Sequence, residues 1–165
     1  MIDVVIIANG VDDLLRTISS VFYQVQVLEP KIIIYMEKEF DRNEFSSFPV
    51  YFYSNWKDVI RELKSEKEGY VYFLNEGDAL SNPFVFDSFL KRFTDVSEGS
   101  VFGSYILDNG EISFEDIQND VFHFYGKMYR KDIFLKYYPK DYSMSNFFYL
   151  NQLLLYKNKV LWDIE

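Results

Sequence analysis

The side chains of this sequence that could carry out chemistry are mainly carboxylates. The chain has 165 residues, no cysteine and a single histidine, His123. Thiolate nucleophiles, zinc-thiolate sites and iron–sulfur clusters are therefore excluded, and a Ser-His-Asp triad or a histidine-based metal site has only one histidine to use. What remains is the chemistry of carboxylates and amides, which depends on where the fold brings them together.

Polar residues follow three apolar segments that have the composition of buried strands. These segments, rich in β-branched and aromatic residues, are residues 3–8, 31–36 and 69–74. In an α/β fold the ligand site lies beyond the carboxyl ends of such strands. The candidate site therefore comprises residues 8–13, 37–39 and 75–78.

Segments with apolar residues at helical spacing lie between these strands. They predict helices over residues 14–22, 56–63 and 86–93. A further, shorter strand is predicted at 49–53. Strands that alternate with helices predict an α/β fold with a mostly parallel central sheet. No internal repeat or linker indicates a second domain.

The pattern changes after Gly99. The dipeptide Asn109-Gly110 stands between apolar runs at residues 100–107 and 111–114, which predicts a hairpin and hence an antiparallel excursion from the sheet. The remaining predicted elements are a strand at 121–129, helices at 131–137 and 146–156, and a strand at 160–164.

Composition excludes several classes of partner. The formal net charge is −9, and an acidic protein of this kind repels the phosphate backbone of nucleic acids. Hydrophobic residues make up 48% of the chain, enough for a core, yet no apolar run reaches the roughly 20 residues of a membrane span. Asp3 stands where a signal peptide would carry a basic residue. We therefore expect a soluble cytoplasmic protein.

Three segments together resemble family 2 glycosyltransferases of the GT-A fold. Residues 2–24 resemble the family's opening strand, polar turn and helix, with Ser20 and Gln24 at its Ser-to-Gln ending. The segment Y-V-Y-F-L-N-E-G-D-A-L-S-N-P, residues 70–83, looks like the strand that runs into the family's D-x-D loop. F-Y-G-K-M-Y-R-K-D-I-F, residues 124–134, is similar to a stretch of short glycosyltransferase-like proteins, many of them encoded by phages or prophages.

This resemblance implies an α/β/α sandwich that handles a nucleotide-sugar, with a UDP-sugar as the first expectation. It implies that Ala8, Asn9, Asp12 and Glu37 hold the uracil and ribose. It also implies that carboxylates of the D-x-D loop hold Mg²⁺ or Mn²⁺ against the diphosphate, because a hard cation neutralises the phosphates. Residues 1–98 would form the nucleotide-binding half and residues 99–165 the acceptor-side half.

The sequence departs from the family at the residues that do the chemistry. Asn75 and Gly77 stand where the family has aspartates, so Asp78 is retained and Glu76 is the other carboxylate that could serve the metal. Near the C-terminus, Asn and Phe stand where the family has its general base, and neither can take a proton from a hydroxyl. The carboxylate available there is Asp141, which is the second catalytic candidate beside Asp78.

Several candidates have an ordinary structural reading beside the functional one. Lys127 and Arg130 either bind the diphosphate in place of a metal or form an exposed basic pair. Asp12 either contacts a nucleotide or belongs to the start of a helix, Glu37 is either a ribose ligand or a solvated acid, and His123 either points at the site or packs. The acids at residues 108–120 could hold calcium, although a solvated hairpin explains them better.

These observations leave three hypotheses of function. The first is a degenerate glycosyltransferase-like protein that still binds a nucleotide-sugar. The second is a structural or interaction module, virion-associated if phage-encoded, whose surplus of aromatic residues around 137–149 forms an interface for a protein partner or for self-association. The third is an active metal-dependent family 2 enzyme that uses Asp78 and Glu76.

Overall fold

The fold is described by a computed structural model over residues 1–25, 30–93, 98–103, 127–137 and 159–163. Strands and helices alternate along these residues. The elements are β1 Ile2–Ile7, α1 Leu14–Phe22, β2 Pro30–Tyr35, a short 3₁₀ helix Arg42–Phe45, β3 Val50–Tyr53, α2 Trp56–Ser65, β4 Tyr70–Asn75, α3 Val85–Arg92, β5 Glu98–Gly103, β6 Lys127–Arg130, α4 Lys131–Tyr137 and β7 Lys159–Asp163.

The strands of the described residues form one sheet in the order β3-β2-β1-β4-β6-β5-β7. β1 pairs in parallel with β2 on one side and with β4 on the other, and β2 pairs in parallel with β3. β6 is antiparallel to both of its neighbours, β4 and β5, while β5 and β7 are parallel. The sheet is therefore mostly parallel with one reversed strand.

Side chains of β1 alternate between two hydrophobic cores because successive residues of a strand point to opposite faces. Val4 and Ile6 pack with α1 and α3 on one face, and Val5 and Ile7 pack with α2 and α4 on the other. Each of these four side chains is buried. Helices cover both faces, which gives the three layers of an α/β/α sandwich.

The predicted elements agree with the structure wherever it describes them. The predicted strands at 3–8, 31–36 and 69–74 are β1, β2 and β4, each shifted by one residue, and the helix at 131–137 is α4. The closing strand at 160–164 is β7, which lies at the edge of the sheet beside β5. The hairpin turn at 108–110 and the helix at 146–156 lie outside the described residues. Among the residues that the structure describes, no helix is both long and apolar enough to cross a membrane.

A buried ion pair joins the start of β1 to α4. Lys131 Nζ lies 2.8 Å from Asp3 Oδ2, and both side chains are almost completely inaccessible to solvent. Burial raises the pKa of Asp3, and the hydrogen bond from Lys131 opposes this shift. Asp3 Oδ1 has no hydrogen-bond partner among the described residues. The free energy of this carboxylate in the core therefore depends on Lys131.

Replacing Lys131 by Met should destabilise the protein by about 3 to 5 kcal/mol at neutral pH, because the substitution leaves a buried carboxylate without its partner. Urea unfolding monitored by circular dichroism measures this change. This loss of stability should shrink as the pH falls toward the ordinary pKa of Asp3, 3.8. Without Lys131, burial raises the pKa of the Asp3 carboxyl with less opposition, so the carboxyl binds a proton as the pH falls and the unpaired buried charge is removed.

The matched control is Lys67→Met, because Lys67 is exposed on the loop before β4. A surface change of this kind alters the free energy of unfolding by about 0.5 kcal/mol or less. If Lys131→Met were no more destabilising than Lys67→Met, the buried pair would not have the role described here.

Candidate functional site

The register of the central strands brings the three predicted segments to one edge of the sheet. Ile7, the last residue of β1, lies opposite Tyr35 of β2 and Asn75 of β4. Backbone hydrogen bonds continue this pairing beyond the strands, from Ala8 N to Tyr35 O at 2.9 Å and from Glu76 N to Ile7 O at 3.0 Å. The turn after β1 (residues 8–13, the first turn) is therefore flanked by residues 37–39 and by residues 75–78 (the β4 loop).

Glu76 connects the β4 loop to the first turn. Its Oε2 accepts hydrogen bonds from the backbone N–H of Asn9 at 2.9 Å and of Gly10 at 2.7 Å. A Cβ at Gly10 would lie 3.3 Å from Oε1 of the same carboxylate, tighter than an ordinary contact. The turn backbone thus wraps closely around Glu76, and the small size of Gly10 permits this approach.

The remainder of the β4 loop forms a tight turn. Asp78 Oδ2 accepts a hydrogen bond from Asn75 N at 2.8 Å, and Asp78 N donates to Asn75 O at 3.1 Å. The residue as a whole is exposed, yet partial burial of its carboxyl raises the pKa of Asp78, while the bond from Asn75 N opposes the shift. Gly77 has a φ of +89°, a conformation that residues with a side chain rarely adopt.

A polar stripe on α1 holds the backbone that follows β4. Thr17 Oγ1 accepts from Gly77 N at 3.0 Å and Ser20 Oγ accepts from Leu80 N at 3.2 Å. Just beyond the end of α1, the side-chain amide of Gln24 donates to Asn82 O at 2.8 Å and accepts from Phe86 N at 3.2 Å. Thr17 and Ser20 are three residues apart on one face of α1, and Gln24 directly follows the C-cap residue Tyr23. Ser20 and Gln24 were singled out by the resemblance, and the same spacing could have identified Thr17.

Glu37 lines a cavity of about 320 Å³ next to the ends of β2 and β3. The cavity is lined by residues 36–40, Arg42 and residues 52–54. The hydroxyl of Tyr35 donates to Glu37 Oε1, and burial together with this carboxylate raises the pKa of Tyr35 to about 12. Tyr35 therefore remains a protonated donor at neutral pH and orients the Glu37 carboxylate.

The wall of this cavity combines aromatic and cationic groups. The Arg42 guanidinium lies 5.9 Å from the ring centre of Phe40 and 5.4 Å from that of Phe52, within the range of cation–π attraction. Lys38 and Glu39 also line the cavity and are exposed to solvent. A planar ring with acceptor oxygens would match such a wall.

The described residues do not fit a divalent cation well. None of their His, Asp and Glu side chains forms a group of three or more that could hold a metal ion. The two carboxylates predicted for the metal, Glu76 and Asp78, each accept backbone N–H groups instead. Their metal role stays a prediction from the resemblance.

The residues of the first turn that were predicted to contact a nucleotide differ in their exposure to solvent. Ala8 is buried, whereas the side chains of Asn9 and Asp12 are exposed in the first turn. Asp13, which precedes α1, makes no side-chain capping hydrogen bond. These residues follow β1 at the same sheet edge as Glu37 follows β2. Their contacts to a nucleotide stay a prediction.

Arg130 does not lie at this edge. It pairs with Tyr70 across the sheet, opposite the beginning of β4, about 17 Å along the strand from Asn75. Its guanidinium makes two hydrogen bonds to Asp132, at 3.1 Å and 2.6 Å. β6 runs antiparallel to β4, so its first residue, Lys127, is at the end nearer the candidate site. Asp141, His123 and most of the aromatic region at 137–149 lie outside the described residues.

Comparison with known proteins identifies the fold. No family model matches the sequence, and no curated protein matches it. Among solved structures, S. aureus TarS 1–349 matches with a TM-score of 0.73 and 12% identity over 99% of this chain and 58% of that chain. The same TarS fragment has been solved with UDP and with UDP-GlcNAc.

Two further solved structures carry nucleotides. The mannosyltransferase PcManGT from Pyrobaculum calidifontis, in complex with GDP-Man and Mn²⁺, matches with a TM-score of 0.69 and 9% identity over 99% of this chain and 56% of that one. Glucosyl-3-phosphoglycerate synthase from Mycobacterium tuberculosis, with Mg²⁺ and UDP, matches with a TM-score of 0.63 and 12% identity over 99% of this chain and 69% of that one.

The fold is therefore the GT-A-like α/β fold of nucleotide-diphospho-sugar transferases, as the sequence predicted. At these identities the likeness shows the fold alone. The chain spans somewhat more than half the length of TarS 1–349 and of the mannosyltransferase, at 58% and 56%.

Replacing Thr17 by Val should destabilise the protein by about 1 to 3 kcal/mol, because the isosteric change leaves the N–H of Gly77 without its buried acceptor. Chemical unfolding measures the loss. Thr17→Ser is the matched control, since it retains the hydroxyl and should preserve the loop. Equal stability of Thr17→Val and Thr17→Ser would mean that the stripe on α1 does not hold the β4 loop.

Proposed function

We propose that this protein is a degenerate, glycosyltransferase-like binder of a nucleotide-sugar, with a UDP-sugar as the first candidate. The observation that carries the proposal is the convergence of the first turn, Glu37 and the β4 loop at one sheet edge, beside a cavity of about 320 Å³. A cavity of this size is in the range of small-molecule sites. The GT-A-like fold adds support, since solved proteins that share it hold UDP, UDP-GlcNAc or GDP-Man.

Chemistry at the edge favours the nucleoside part of such a ligand. The Glu37 carboxylate, fixed by Tyr35, is an acceptor for ribose hydroxyls, and the aromatic wall formed with Arg42 offers a surface for the base. Ala8, Asn9 and Asp12 of the first turn complete the proposed nucleoside contacts. In this proposal residues 1–98 are the nucleotide-binding half and residues 99–165 the acceptor-side half.

The β4 loop lacks the charges that catalysis of sugar transfer would need. Asn75 and Gly77 bring no charge to the loop that would neutralise a diphosphate, and Glu76 and Asp78 accept backbone N–H groups. Without a cation, a diphosphate is a poor leaving group. We therefore infer that the nucleotide-sugar binds without a metal and that sugar transfer is slow or absent.

Thermal unfolding tests the binding directly. UDP-sugars, and separately GDP- and CDP-sugars, are added with Mn²⁺ or with EDTA. A ligand at 100 times its dissociation constant stabilises the native state by about 2.7 kcal/mol, which in a chain of this size raises the melting temperature by roughly 5 to 10 °C. We expect such a shift with one nucleotide class, and we expect it to be equal with Mn²⁺ and with EDTA.

A pair of variants locates the binding. Glu37→Gln should reduce the shift, whereas Glu44→Gln, on the exposed 3₁₀ helix and away from the cavity lining, should not. No shift with any nucleotide would overturn the proposal and favour a structural or interaction module. A shift that required Mn²⁺, together with sugar transfer at about 1 per second or faster, would favour the active family 2 enzyme instead.

A further inference from the structure

Glu76 occupies hydrogen-bond donors at the centre of the candidate site. The N–H groups of Asn9 and Gly10 converge on a single oxygen, Glu76 Oε2, at 2.9 Å and 2.7 Å. Two backbone donors aimed at one point form a small cradle for an acceptor oxygen, and a carboxylate there makes charge-assisted bonds. The occupant of this cradle is a side chain of the protein itself.

The contact between Glu76 and the first turn is fixed by the backbone on either side of it. Glu76 N donates to Ile7 O at 3.0 Å, which fixes the backbone of Glu76 against the end of β1. The next residue, Gly77, is anchored to Thr17 Oγ1 at 3.0 Å. On the other side, a Cβ at Gly10 would come within 3.3 Å of Glu76 Oε1, so the turn and the carboxylate are close-packed. An acceptor from a ligand can reach the two N–H groups only after Glu76 has moved.

We propose that Glu76 is an internal competitor of the nucleotide: its carboxylate occupies the Asn9 and Gly10 N–H groups, and a bound nucleotide must displace it. This inference rests on the proposed function. It assigns to Glu76 a role in setting the affinity of the site, distinct from holding a metal. The ligand group that takes its place is an acceptor oxygen, either a carbonyl of the base or an oxygen of the phosphates.

Two variants of Glu76 test the competition. Glu76→Ala removes the competing carboxylate. Glu76→Asp keeps the charge but shortens the side chain by one methylene, so that the carboxylate reaches the two N–H groups poorly. Both variants should bind UDP at least about tenfold more tightly than the unmodified protein, an increase that corresponds to about 1.4 kcal/mol. Isothermal titration calorimetry in EDTA gives the dissociation constants.

Controls separate this contact from general electrostatics. Removing any one negative charge from a protein of net charge −9 favours anions. Glu44→Ala makes the same charge change on the exposed 3₁₀ helix and should leave UDP affinity within about twofold of the unmodified protein. Thermal unfolding of each variant without ligand verifies folding, and Glu76→Asp remains available if Glu76→Ala does not fold.

Uridine and inorganic pyrophosphate, titrated separately, identify the displacing group. A gain with uridine assigns a base carbonyl, and a gain with pyrophosphate alone assigns a phosphate oxygen; either result supports the inference. If the unmodified protein binds UDP and the variants bind it equally or more weakly, the inference is wrong and the proposed function stands. If UDP, GDP and CDP bind neither the unmodified protein nor any variant, both are wrong.

Discussion

The parallel pairing of β1 with β2 and with β4 is the constraint on which the site depends. The same residue, Ile7, is paired with the last residue of β2 and the last residue of β4, so the three following loops emerge side by side. Burial of β1 on both faces fixes this register, because a shift by one residue would exchange the side chains of the two cores. The buried Asp3–Lys131 pair adds a polar connection at the opposite end of the same strand.

Hydrogen bonds between the loops at this shared edge fix the positions of the loops relative to one another. Glu76 connects the β4 loop to the first turn, and Thr17 connects the same loop to α1. Ser20 connects Leu80, which follows the loop, to the same helix. In the proposed competition, the backbone N–H groups of Asn9 and Gly10 that Glu76 uses are the donors that a nucleotide would need.

Local sequence predicted the elements well and the contacts between loops poorly. β-branched runs such as residues 3–8 and 31–36 are distinctive, and the strands there agree with the prediction to within one residue. The direction of β6 is a tertiary property that local pattern does not encode, which explains why Arg130 was grouped with the site although it lies opposite the start of β4. The bonds of Glu76 depend on the turn of a neighbouring strand, 66 and 67 residues away. Asp78 and Glu76 could be recognised as candidates from the sequence, but their backbone partners could not.

The most direct test of the account is to map UDP onto the protein by NMR, with ¹⁵N-labelled protein in EDTA. We expect the amide chemical shifts of Asn9, Gly10, Glu37 and Gly77 to change, because these residues lie at the shared edge. Amides at the opposite end of the sheet, such as those of Gly69 and Lys131, should not change. An absence of shifts, or shifts confined to that opposite end, would contradict the claim that this edge binds UDP.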